Sequence, residues 1–172
     1  MHLLSRFGNH QRLEPFKAFI RISVRMSAAS QSSKLLLVVG VALIDSKSKP
    51  PRVLVSQRPQ GKSNEGLYEF PGGKIEEGET PEDAAVREIK EELGIEISTG
   101  SLKPISFASQ PLGNGRHLLM PLFASRIWTG TPKGLEGQDI KFVSAEELHQ
   151  CSLTPADIPL ISPVVKEMTS DP

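Results

Sequence analysis

Three glutamates, Glu88, Glu91 and Glu92, stand at offsets of three and four residues in the stretch Gly73 to Ile95, GKIEEGETPEDAAVREIKEELGI. Such offsets bring side chains onto neighbouring positions of a helix surface. Acids placed this way repel one another unless a cation sits between them, and hard carboxylate oxygens favour Mg2+ or Mn2+. A divalent-metal site of this kind serves phosphate chemistry. The plain alternative for REIKEEL taken alone is a solvated helix face with Arg87 and Lys90 as ion-pair partners.

The element that must position the acids follows from local chemistry. Thr80 suits the N-cap, Pro81 the first helical position, and Asp83 lies where a capping-box acid reaches back. Gly94 supplies the stop. Val86, Ile89 and Leu93 form an apolar stripe at offsets of three and seven. At about 100° per residue the acids point away from that stripe, so one face packs while the other binds.

The full spacing decides between the readings. Gly73, Glu79 six positions on, Arg87-Glu88-Ile89, Glu91-Glu92 and Gly94-Ile95 match every specified position of the Nudix box, and the chain therefore resembles the Nudix hydrolases. The longer segment from Tyr68, YEFPGGKIEEGETPEDAAVREIKEELGI, is similar to the MutT subgroup, and the likeness runs from Leu35 to Met168. It implies an α/β fold, a mixed β-sheet sandwiched between α-helices. It also implies Mg2+-dependent (or Mn2+-dependent) hydrolysis of 8-oxo-dGTP or a related nucleoside triphosphate to the monophosphate and pyrophosphate, a nucleotide-pool sanitation activity.

By the same resemblance, Gly72, Glu88, Glu91 and Glu92 hold the metal ions, joined by Glu136 of Glu136-Gly137-Gln138 from outside the box. These acids are the catalytic set, and either Glu88 or Glu136 accepts the proton of the attacking water. Arg58 is a clamp for phosphate or base, and Lys74 a weaker one. Glu69, Phe70, Pro71 and Gly72 border the substrate, with Phe70 and Leu37 lining the base pocket and Asp157 of Pro155-Ala156-Asp157 facing the base. Glu79 and Arg87 brace the loop and the helix.

Two positions depart from the bacterial MutT pattern: Asp157 stands in place of an asparagine, and Ser63 in place of a histidine. Asparagine donates and accepts hydrogen bonds, whereas an ionised aspartate only accepts. Asp157 can then take protons from guanine-type N1 and N2 or from the exocyclic amine of cytosine. The chain ending also resembles Nudix enzymes that cleave CTP and methylated dCTP, which leaves a pyrimidine triphosphate pyrophosphohydrolase as the second reading. A nucleotide-binding module without catalysis is the non-enzyme alternative, and it fits poorly because such modules lose the metal acids that this chain keeps.

The 172 residues suit one domain, placed at 34–172, and the 20 basic and 20 acidic residues balance. The balance hides an asymmetry, since residues 1–30 carry Arg6, Arg12, Lys17, Arg21 and Arg25 against Glu14 alone, which leaves the remainder acidic. An acidic body offers no footprint for duplex nucleic acid, so a nucleotide is the expected partner. Cys151 is the sole cysteine, no apolar run approaches the roughly 20 residues of a membrane span, and the first 30 residues lack a secretory h-region. The expectation is a soluble intracellular protein, with monomer and homodimer both open.

Residues 1–33, rich in Arg and Ser and poor in acid, are read as a basic, disordered extension. The same composition suits a mitochondrial or plastid transit peptide, or an upstream extension skipped when translation begins at Met26; without targeting, the compartment is the cytoplasm. Leu35 to Ile44 reads as a strand buried on both faces, Arg52 to Gln57 as its return, Leu102 to Gln110 and His117 to Trp128 as a strand pair, and Ile140 to Val143 as a last strand. Ala145 to Gln150 and Ser162 to Met168 read as helices.

Overall fold

The computed structural model describes residues 34–170, so the basic extension lies outside the described residues. β1 (Lys34–Asp45) runs through the middle of a seven-stranded sheet. β2 (Arg52–Gln57) and β3 (Tyr68–Glu69) lie on one side of it. β6 (Arg116–Ser125) and β5 (Lys103–Leu112) lie on the other, with β4 (Gly72–Lys74) pairing β1 and β7 (Ile140–Val143) pairing β2. β1 and β6 run parallel and the remaining pairs antiparallel, which makes the sheet mixed, as expected.

The two-residue period of the strands sorts their side chains into two cores. Val39, Val41 and Leu43 of β1, Leu54 of β2 and Phe123 of β6 face α1 (Pro81–Leu93), which buries Ala84, Ala85, Ile89 and Leu93 against them. Ala42, Ile44, Val53, Val55 and Leu122 face the opposite layer, where α2 (Ala145–Gln150) contributes Leu148 and α3 (Ile161–Thr169) contributes Val164 and Met168. Full burial of a residue such as Ile89 or Leu93 contributes about 1.5–3 kcal/mol. The helical stripe differs in one respect from the expected one: Val86 is only half-buried, and the small side chains of Ala84 and Ala85 take the sheet-facing positions.

The ends of α1 are built as the residue types require. The Thr80 hydroxyl oxygen accepts the Asp83 N–H at 3.1 Å, a cap worth about 1 kcal/mol. The Asp83 carboxylate takes the Thr80 hydroxyl proton at 2.6 Å, so the expected reach to the N-cap backbone is replaced by a side-chain pair. Gly94 closes the helix in the left-handed region at φ 66°, where a glycine meets no Cβ penalty.

Two strand readings are corrected. β1 is fully buried only from Val39 to Ile44; Leu35 and Leu37 are 52% and 41% exposed, because α1 covers the odd-numbered side chains only from Val39 onward. β6 stops at Ser125 rather than reaching Trp128, since the Ser125 hydroxyl donates to the Ile127 carbonyl at 3.1 Å and folds the chain locally. No helix among the described residues is long and apolar enough to cross a membrane.

Candidate active site

The helix α1 is set against the central strand by the segment Phe70-Pro71-Gly72-Gly73. Gly72 and Gly73 pair with Gly40 and Val39 of β1, and the Pro71 carbonyl accepts the Val41 N–H at 2.9 Å. Two box acids pack onto this backbone. The Gly72 N–H donates to Glu92 Oε2 at 3.0 Å, and Glu88 lies so close to Gly73 that a Cβ there would stand 2.3 Å from its carboxyl carbon. A glycine is required at 73 for that approach.

Arg87 organises the loop between β4 and α1. Its Nε and Nη2 donate to the two oxygens of Glu79 at 2.7 and 2.9 Å, and Nη2 also reaches the Lys74 carbonyl at 2.9 Å. This bidentate pair holds the Glu79 carboxyl down at about 2, helped by the Glu76 N–H. Arg87 Nη1 then spans Glu88 at 2.9 Å and Glu91 at 3.2 Å. The bracing role read for Glu79 and Arg87 has this geometric basis, and Arg87 is also the counter-charge of two box acids.

The five acids are not gathered equally. Glu92, Glu136 and Glu69 line a small cavity of about 110 Å³ together with Arg58, Gln57 and Gln138. Glu88 is largely covered, while the Glu91 side chain is 56% exposed and turned toward Arg87. Among the described residues no group of three or more His, Cys, Asp or Glu side chains is close enough, as they stand, to ligate one ion. The donor chemistry nevertheless fits a hard divalent cation: burial first, and then the charges of Glu69, Glu88 and Glu136, push the Glu92 carboxyl up to about 8. Arg87 answers Glu88 and Glu91 and Arg58 answers Glu69, whereas neither Glu92 nor Glu136 has an ion-pair partner among the described residues.

Beside the acids opens a cleft of about 570 Å³, bounded by Leu36 and Val38 of β1, Leu118 and Met120 of β6, Phe70, and the Thr154–Asp157 turn. Gly72, Gly73, Arg58 and Glu69 lie on its inner wall, so apolar cleft and acid cluster share a border. Leu37 is corrected: it does not line this cleft. From β1 the cleft is lined by Leu36, Val38 and Val39, and Leu37, whose side chain lies on the other face of the strand from Leu36 and Val38, is 41% exposed. Arg58 reaches the cleft already engaged, its Nη1 donating to both Glu69 oxygens at 2.8 and 2.7 Å and its Nε to the Ser63 carbonyl.

Asp157 closes the apolar end and is only 2% exposed. Its Oδ1 accepts the Phe70 N–H at 3.3 Å and its Oδ2 the Thr154 hydroxyl at 2.5 Å. Burial dominates these bonds and, with the charge on Glu69, pushes the carboxyl up to about 7. Both oxygens accept in this structure, and burial favours the uncharged form, which would carry a donor and an acceptor as asparagine does. Thr154 and Met120 went unread in the sequence, and Gln138 was read only as part of the Glu136-Gly137-Gln138 segment, without a role of its own. Thr154 left a signal, three residues before an aspartate, a spacing common in local side-chain turns. A larger cavity of about 740 Å³, between Asp45, Lys103, Arg126 and Trp128, contains none of the candidate residues.

The NUDIX domain family profile matches residues 34–164. The CTP pyrophosphohydrolase of Escherichia coli is 36% identical over 126 residues, 73% of this chain and 89% of that protein. The 8-oxo-dGTP diphosphatase of Escherichia coli is 34% identical over 129 residues, 75% of this chain and 95% of its own. Among solved structures, the Escherichia coli ORF135 protein superposes with TM-score 0.68 at 32% identity, covering 82% of this chain and 96% of that one. A MutT from the pair Aliivibrio salmonicida and Vibrio cholerae gives 0.65 at 28% identity, covering 78% and 99%. With the box acids packed on the Gly72-Gly73 backbone and the mixed sheet between helices, these likenesses establish that the chain belongs to the NUDIX family, as a Nudix hydrolase.

Proposed function

We propose that this protein hydrolyses nucleoside triphosphates to the monophosphate and pyrophosphate, with 8-oxo-dGTP the favoured substrate and Mg2+ the cofactor. The observation that supports the reading most is the shared border between an apolar cleft that Asp157 lines and an acid cluster formed by Glu92 of α1, Glu69 of β3 and Glu136 of the loop before β7. A planar base fits between Leu36, Val38, Phe70 and Met120, and the phosphates then extend past Gly72 toward Glu92 and Glu136. Mg2+ held by Glu88, Glu91, Glu92, Glu136 and Gly72 would neutralise phosphate charge and favour in-line attack by water. Glu88 or Glu136 takes the proton of that water, and Arg58 binds phosphate or base once the substrate competes with Glu69 for its guanidinium. Pro71 fixes the entry of the Gly72-Gly73 turn through its carbonyl bond to β1.

A pyrimidine reading has its own support in the Escherichia coli relative named for CTP, which is as similar as the one named for 8-oxo-dGTP. Pyrophosphate release across 8-oxo-dGTP, dGTP, CTP and dCTP separates the two. The expected outcome is a kcat/KM for 8-oxo-dGTP at least about 10-fold above the others, a gap of about 1.4 kcal/mol in transition-state binding. Equal values for 8-oxo-dGTP and dGTP sink the sanitation role, and a preference for CTP selects the pyrimidine reading. Glu92→Gln and Glu91→Gln are expected to lower kcat severely with the fold retained.

A further inference from the structure

The loop that carries Glu136 is moored at both ends to the elements that flank the cavity. At its start the Lys133 N–H donates to the Leu93 carbonyl at 3.0 Å and the Leu135 N–H to the Glu92 carbonyl at 2.9 Å, so it satisfies carbonyls that the end of α1 leaves without helical partners. At its far end the Asp139 carbonyl accepts the Gln57 N–H of β2 at 2.7 Å. Between these moorings one side chain turns inward. Gln138 is 8% exposed, and its amide makes two bonds of opposite sense: Nε2 donates to the Glu92 carbonyl at 3.1 Å, and Oε1 accepts the Glu136 N–H at 2.7 Å.

The geometry points to Gln138 as a positioning residue that holds the backbone of Glu136 at a set distance from the backbone of Glu92, and so spaces the two cavity acids that have no ion-pair partner among the described residues. The inference rests on the reading of Glu136 as a member of the catalytic set. The amide is suited to the task because it is neutral and carries both a donor and an acceptor. A glutamate there accepts but does not donate, and adds a negative charge beside Glu92, Glu69 and Glu136. A leucine does neither and leaves the Glu136 N–H without this partner. Residues that orient ligand-bearing side chains typically change metal affinity or activity about 10- to 100-fold when replaced.

A double-mutant cycle tests this. Turnover of Gln138→Leu, Glu136→Gln and the double variant is measured on the full chain with a nucleoside triphosphate and Mg2+, and the rise in Tm on adding Mg2+ alone is recorded for each. Gln138→Leu is expected to lower kcat about 10- to 100-fold with KM nearly unchanged, and to shrink the Mg2+-induced rise in Tm. The double variant is expected to be no slower than Glu136→Gln alone, because a residue acting through Glu136 has nothing left to act through. A further loss of the same size on the Glu136→Gln background overturns the inference, as does wild-type turnover of Gln138→Leu. Wild-type turnover of Glu136→Gln removes the reading of Glu136 itself, a distinct result. Should Gln138→Leu fail to fold, Gln138→Met, which is uncharged, close in length and lacks both amide groups, carries the same cycle.

Discussion

Asp157 shows how one residue changes meaning between sequence and fold. Its type alone gives an acceptor; its burial against Phe70 and Thr154 gives a carboxyl that titrates at about 7. Protonated, it presents the donor and acceptor of an amide, and ionised it presents acceptors only. The ratio of kcat/KM for 8-oxo-dGTP over dGTP is therefore expected to change between pH 6 and 8.5 in the native protein and to stay level in Asp157→Asn. An equal pH dependence in both proteins would show that Asp157 is not the titrating group. The identity of Asp157 as a candidate was legible from its place in the chain, but its protonation was not, because desolvation is set by residues distant in sequence.

At the scale of the element, α1 was readable almost to its ends. Thr80, Pro81 and Gly94 act through groups within one turn, so local chemistry decides them. The contact between α1 and the Gly72-Gly73 backbone is different in kind, since it depends on where β4 pairs with β1. Gly73→Ala tests it. The added Cβ would stand 2.3 Å from the Glu88 carboxyl carbon, and the flexible end of Glu88 can move aside. The expected result is a fall in kcat of about 10- to 100-fold with Tm changed by only a few degrees. Full turnover would mean that the position of Glu88 does not matter to the chemistry. β1 carries the matching lesson: its apolar run announces a strand, yet the side that α1 leaves uncovered, at Leu35 and Leu37, is decided by where a helix some fifty residues away ends.

For the whole molecule, two buried carboxyls on different elements bear on stability in the same direction. Glu92 and Asp157 have folded pKa values of about 8 and about 7, above their unfolded values of 4.5 and 3.8. Between those limits the folded state binds more protons at these two groups than the unfolded state, so their contribution to stability is fullest below about pH 4 and is lost as pH rises toward 8. Without metal, Tm is expected to fall by roughly 5 °C between pH 5.5 and pH 8, and Mg2+ is expected to raise Tm more at pH 8 than at pH 5.5. A Tm that climbs over this range, or an Mg2+ shift equal at both values, would refute the assignment of these two groups. By itself the sequence determined the helix α1, its caps, the order of most strands and the family, because box spacing, caps and apolar periodicity are local properties of the chain. Only the tertiary structure decided which residues of β1 line the cleft, that Asp157 is buried, that Glu136 faces Glu92, and that Gln138 joins them. Those facts arise from desolvation and from contacts between distant parts of the chain, 46 residues apart for Gln138 and Glu92, which no local pattern encodes.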